Sequence, residues 1–220
     1  MSRSLDARID SLPAAQQEIW PSLAAAPRLS FVLYGGTAVA LHLGHRTSVD
    51  FDFFNAAPLN KKNIEAAFPF MAEAPAIQEE RNTLVVNAAM PSGPVKVSFF
   101  GGMTIGRINA PLLTRDGVLL VASLEDLLAT KLKATLDRAD SKDYRDIAAI
   151  LSAGVSLERG LGAFAKMFGK DPGLALRAIG FFKDGDLPSL PKSDQDVLRA
   201  ARDRVSEIPE MTVTYGPLAV

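Results

Sequence analysis

The 220-residue sequence contains no cysteine, only two histidines and a single tryptophan. Without cysteine there is no disulfide framework and no thiolate metal site, which fits a reducing compartment. With only His42 and His45 to offer imidazole, a zinc site of ordinary composition is not expected. No stretch approaches the roughly 20 apolar residues of a membrane-spanning helix. The amino terminus, Met1-Ser-Arg-Ser-Leu-Asp-Ala-Arg-Ile-Asp, lacks the apolar run of a secretory signal. A cytoplasmic location with no membrane partner is therefore expected. Neither sign of charge is in excess: 24 Lys and Arg face 25 Asp and Glu, for a net charge of −1 and a pI near 6.1. No global basic field draws such a chain to nucleic acid, so any contact of that kind must be local.

What is present is enough apolar material, 48% of residues, to bury a good core and a second smaller one. Residues 4–26 read as helical, with Leu5, Ile9, Leu12, Ile19 and Leu23 along one stripe and Pro13 and Pro21 marking breaks. Leu29–Tyr34 reads as a strand, Thr37–Leu43 as a short helix and Val49–Phe54 as a second strand. A polar-faced helix over 58–68 precedes three extended segments, 76–81, 83–89 and 94–100, separated by turn formers. Leu119–Ala122 adds a short strand. From Ser123 the periodicity is helical, with Ser123-Leu-Glu-Asp126 in capping-box form and starts at Ser141, Asp171-Pro172 and Ser193. The expectation is an α+β protein: a mixed sheet with flanking helices over residues 1–121, followed by a helical bundle over 122–220.

One stretch concentrates the chemistry. Phe31–Phe54 runs from a strand into Gly35-Gly36-Thr37, through a helix, and into Asp50-Phe-Asp52-Phe-Phe. Side chains alternate faces along a strand, so Asp50 and Asp52 share one face, roughly 6.5–7 Å apart, while Phe51 and Phe53 face the core. The glycines let the backbone approach a ligand and leave the first helical N–H groups for phosphate oxygens. Two carboxylates opposite such a turn suit a magnesium ion held against a polyphosphate. Either half alone has an ordinary explanation: a tight turn for the glycines, the wet face of an antiparallel sheet for the acids.

Together, two glycines, thirteen residues and Asp-apolar-Asp-apolar resemble the signature of the DNA polymerase β-type nucleotidyltransferase superfamily. Within it, Tyr34-Gly-Gly-Thr-Ala-Val-Ala-Leu-His-Leu-Gly-His-Arg-Thr-Ser-Val-Asp-Phe-Asp-Phe-Phe resembles the AbiEii/AbiGii-type toxins of abortive-infection and toxin–antitoxin systems. A second block, Leu127–Arg138 followed by Lys142-Asp143-Tyr144-Arg-Asp146-Ile, is similar to that family's helical motif. The resemblance spans about residues 29–152. It implies transfer of a nucleoside monophosphate from an NTP to a hydroxyl acceptor, possible acceptors including the 3′ end of a tRNA, and a cognate antitoxin as partner. Asp50 and Asp52 would bind one or two magnesium ions and, with Lys131 and Asp143, carry catalysis. Gly35, Gly36, Thr37, Arg46, Ser48 and Arg138 would hold the nucleotide. Lys131 and Arg138 are seven residues apart and share a helical face, whereas Lys133 lies off it. A groove from Lys61, Lys62, Arg81, Lys96 and Arg107 would track an RNA acceptor.

The sequence departs from the superfamily at one point. A third carboxylate is expected on a later strand, but that segment reads Pro94-Val-Lys-Val-Ser98-Phe-Phe, and serine cannot serve as a carboxylate base near neutral pH. Either two carboxylates suffice, with help from Glu79 or Glu80, or the chain is a catalytically impaired nucleotide-binding or partner-binding module of the same fold.

Overall fold

The computed structural model describes residues 4–220, which form two compact units. The first runs to Gly106 and includes Ala110–Ser123 and Tyr215–Val220; the second comprises Arg107–Asn109 and Leu124–Thr214. Among the described residues no helix is long and apolar enough to cross a membrane.

The first unit is built on one eight-stranded mixed sheet. In chain order its elements are β1 (Ser4–Leu5), α1 (Ala14–Ile19), β2 (Val32–Tyr34), α2 (Gly35–Leu43), β3 (Asp50–Phe54), α3 (Lys61–Ala67), β4 (Ala76–Glu80), β5 (Thr83–Met90), β6 (Gly93–Phe100), β7 (Leu112–Thr114) and β8 (Leu120–Val121). Across the sheet the order is β1-β7-β8-β2-β3-β6-β5-β4. The expected three-strand meander is β4-β5-β6, and it joins the rest of the sheet through a parallel pairing of β6 with β3.

Alternation along β3 places Phe51 and Phe53 in a fully buried aromatic cluster. Phe99 is at its centre, with ring centroids 5.2 Å from Phe31, 5.5 Å from Phe53 and 5.2 Å from Phe68. The cluster draws on four separate segments, so its burial ties β2, β3, β6 and the end of α3 into one core.

The amino-terminal segment differs from expectation. Leu5 lies in β1, paired in parallel with β7, and only residues 14–19 are α-helical, flanked by 3₁₀ turns at 9–11, 20–23 and 27–29. Pro13, Pro21 and Pro27 each lack the N–H a continuous helix would need, so the helical stripe is broken up. The apolar positions Leu5, Leu12, Ile19 and Leu23 are buried nonetheless. β2 starts three residues later than expected because Leu29 closes a 3₁₀ turn and Ser30 adopts φ 60°. α3 begins only at Lys61, where the Asn60 side chain accepts the Asn63 N–H at 3.1 Å.

The second unit contains α4 (Leu124–Asp137), α5 (Ser141–Ser152), α6 (Leu157–Phe168), α7 (Pro172–Ala178) and α8 (Lys192–Arg204). α4 packs against α5, α6 and α7. A side chain at Gly160 of α6 would run into Leu128 of α4, so glycine there permits the close crossing. Two helix starts differ from the sequence reading. Asp140, not Ser141, caps α5 by accepting the Lys142 N–H at 3.2 Å, while Ser141 Oγ donates to Asp186 at 2.6 Å. α8 begins at Lys192 after Pro191, one residue before Ser193.

Candidate active site

In the first unit β2 delivers the chain directly into α2. Gly35, with φ 75°, makes the turn, a conformation costing an L-residue about 1–2 kcal/mol. A Cβ at Gly35 would run into the Asp52 carboxylate; at Gly36 it would run into the Arg46 guanidinium and come within 3.0 Å of Ser48 Oγ. Glycine at 35 is thus favoured by its backbone conformation, and at both positions the Asp52 and Arg46 side chains close in on the turn. The start of a nine-residue helix is thereby brought to Arg46, combining N–H groups that have no partner within the helix, the positive end of the helix dipole and a guanidinium.

Thr37 and Ser48 are buried. Thr37 Oγ1 donates to the backbone carbonyl of Asp50 and shares a hydrogen bond of 3.0 Å with Ser48 Oγ. Their hydroxyls tie the first turn of α2 to the segment entering β3. Arg46 Nη1 donates to the Thr47 carbonyl at 3.0 Å. His42, within α2, places Nε2 2.9 Å from the Ala122 carbonyl; burial lowers its pKa, the backbone hydrogen bond opposing.

Asp50 and Asp52 occupy alternate positions on β3 and share one face. The β3–β6 register sets Lys96 opposite Asp50 and Ser98 opposite Asp52. Ser98, only 2% exposed, therefore sits beside the carboxylate pair at the place where a third acid was expected. Lys96 Nζ lies 2.9 Å from Asp50 Oδ2. The suggested help from Glu79 or Glu80 is excluded by topology: β4 is the outer strand, three positions from β3, or about 14 Å at ordinary strand spacing. Glu79 instead binds Lys61 at 3.0 Å, and Glu80 accepts from Gln78 at 2.8 Å.

The remaining predicted residues form a cluster in the second unit. Lys131 on α4 donates to Asp143 at 2.8 Å and is 2.6 Å from Asp146, both on α5. Lys131 is 6% exposed and both aspartates 0%. Arg138 binds Asp143 in two-pronged fashion, Nε to Oδ2 at 2.7 Å and Nη2 to Oδ1 at 3.2 Å. Burial alone would raise the Asp143 carboxyl pKa, but the hydrogen bonds and charges of Arg138 and Lys131 outweigh it and hold the pKa below the ordinary value. Lys133 lies outside this cluster and pairs with Asp137 at 2.6 Å.

Sequence reasoning assigned no role to Asp146 or to the pairing of Lys96 with Asp50. Asp146 was visible as the last acid of the Lys142–Ile147 block. From sequence Lys96 reads only as one cation of an RNA groove, because the parallel β3–β6 pairing that sets it against Asp50 is a long-range fact.

The profile of the family described as "Nucleotidyl transferase AbiEii toxin, Type IV TA system" matches residues 23–212. The chain belongs to the AbiEii family. Its fold is similar to that of a crystal structure of a candidate nucleotidyltransferase from H. pylori, with a TM-score of 0.50 and 18% identity over 86% of this chain and 92% of the other. A curated relative, "Uncharacterized protein aq_aa25" of Aquifex aeolicus (strain VF5), is 29% identical over 119 residues, 53% of this chain; the match spans 55% of that relative's length. The AbiEii match extends beyond both motif blocks, from ahead of β2 to past α8.

Among the described residues no three of His, Cys, Asp and Glu gather into a metal cluster. Magnesium is characteristically held by one or two carboxylates together with substrate phosphates. The Asp50–Asp52 pair fits that role, since its oxygens are hard donors and Asp50 already draws a cation, the Lys96 ammonium.

Proposed function

We propose that this AbiEii protein is a magnesium-dependent nucleotidyltransferase that moves a nucleoside monophosphate from an NTP to a hydroxyl, with an RNA end such as the tRNA 3′ terminus as acceptor. It acts as the toxin of a toxin–antitoxin or abortive-infection pair, in the cytoplasm, with a cognate antitoxin as partner. The observation that carries the reading is the close approach of the Gly35-Gly36 turn to the Asp52 carboxylate and the Arg46 guanidinium, with Gly35 held at φ 75°.

The roles follow from chemistry. The start of α2 and Arg46 receive triphosphate oxygens, while Thr37 and Ser48 hold that turn in register with β3. Asp50 and Asp52 hold the divalent ion, which supplies charge neutralisation to the triphosphate and the departing pyrophosphate. The acceptor hydroxyl gives its proton to water as its oxygen bonds to the α-phosphorus and the bond to pyrophosphate breaks, so catalysis is mainly positioning and electrostatic stabilisation. In the second unit, Lys131 and Asp143 act as positioning residues, fixing α4 against α5 and orienting Arg138.

The test is label transfer from each α-radiolabelled NTP in the presence of total RNA and magnesium. A labelled RNA band that disappears with Asp50→Ala and with EDTA is the expected result; a labelled protein band instead would make the acceptor a protein hydroxyl. A second reading, a nucleotide-binding module without turnover, is favoured by Ser98 standing opposite Asp52. Nucleotide binding with no labelled macromolecule would establish it.

A further inference from the structure

The Asp50–Lys96 pair lies inside the proposed catalytic constellation. Lys96 and Ser98 face Asp50 and Asp52 in parallel register, so β6 presents an ammonium and a hydroxyl where the superfamily pattern would present an acid. The pair is accessible, with side chains 43% and 35% exposed. An exposed ion pair of this kind stabilises a fold by only about 0–1 kcal/mol, which makes structural stabilisation a weak reason for placing a lysine against a functional carboxylate.

Charge gives a stronger reason. Three carboxylates holding two divalent ions carry one net positive charge. Two carboxylates holding one divalent ion beside an ammonium carry the same. Losing the third acid and gaining Lys96 are thus electrostatically matched changes on one strand, two residues apart.

We propose that Lys96 supplies the net positive charge that a second metal ion together with a third carboxylate would, so that this protein operates with one divalent ion and one ammonium at the Asp50–Asp52 face. This rests on the nucleotidyltransferase reading above. Lys96 engages Asp50 in the free protein and, when the ion binds, is positioned to turn toward phosphate oxygens that the missing ion would otherwise neutralise. Ser98 belongs to the same design, because a carboxylate there would draw the ammonium away.

Manganese provides the probe, counted by electron paramagnetic resonance of the free ion, without nucleotide. The wild type should bind one Mn2+ per chain at this site. Lys96→Met should still bind one, about two- to fivefold more tightly, since the competing partner of Asp50 is gone. The double variant Lys96→Met/Ser98→Asp should bind two. In label transfer Lys96→Met should lose on the order of 100-fold, the scale for removing a preorganised charge-stabilising donor, and Lys96→Arg should recover part of it.

No bound Mn2+ or two in the wild type, unchanged affinity in Lys96→Met, or wild-type transfer by that variant would each overturn the proposal. If the substituted proteins fail to fold, the wild-type count still decides. Should the wild type label no macromolecule at all, the nucleotidyltransferase reading fails while the manganese arm continues to report on Lys96, so the two failures are distinguishable.

Discussion

At the scale of single residues, the two glycines and the two acids explain each other. Asp52 reads from sequence as one member of a carboxylate pair; in the fold its side chain fills the space a Cβ at Gly35 would take. Gly35→Ala therefore meets both the left-handed backbone cost of about 1–2 kcal/mol and a collision with Asp52. Urea unfolding should show a loss of that size, and calorimetric titration with an NTP should show affinity reduced at least about tenfold. Undiminished affinity would mean the turn does not touch nucleotide. The alternation that put Asp50 and Asp52 on one face was legible because it depends only on the period of an extended chain. The engagement of Thr37 by Ser48 and Asp50 was not, since it depends on where a helix start and a strand start meet.

Single elements show the same division. Lys131 is assigned to catalysis by the family resemblance, yet α5 encloses it with Asp143 and Asp146, both fully buried. Removing one partner of a buried ion cluster leaves unpaired charge in the interior, at a cost of about 3–5 kcal/mol. Lys131→Met should thus shift urea unfolding by that amount, and lost activity in this variant counts as a catalytic effect only after folding has been measured. Acid should act on the same cluster. The folded-state pKa of Asp143 lies below its ordinary value, so its stabilisation is complete above the unfolded carboxyl pKa of about 4. It disappears as pH falls through the lower folded value. Unfolding free energy should decline below about pH 4, and Asp143→Asn, less stable throughout, should lose this part of the decline. The cap of α5 at Asp140 and the start of α8 at Lys192 differ from the sequence reading because of their neighbours. Asp186 occupies the Ser141 hydroxyl, and Pro191, which cannot donate an N–H within a helix, sets the beginning of α8.

For the whole molecule, a net charge of −1 leaves little long-range attraction for RNA, and two of the five cations expected to line an acceptor groove are engaged, Lys61 by Glu79 and Lys96 by Asp50. RNA binding should accordingly depend only weakly on salt, with log Kd against log salt concentration rising no more steeply than about 2–3; a slope above about 5 would reveal a basic surface not assembled from these residues. The sequence by itself determined the α+β class, the order of sheet elements followed by helices, and the glycine-turn and carboxylate motif, because periodicity and short-range spacing encode them. It also carried the departure at Ser98. Tertiary structure alone decided that β6 lies parallel to β3 with Lys96 against Asp50, that β4 and its glutamates stand at the far edge, and that Lys131 is enclosed by two carboxylates. Each depends on contacts between segments distant along the chain, settled by aromatic packing and by pairing of buried charge rather than by any local pattern. The glycine turn and its two acids were thus legible as a motif, while the ammonium paired with Asp50 was not.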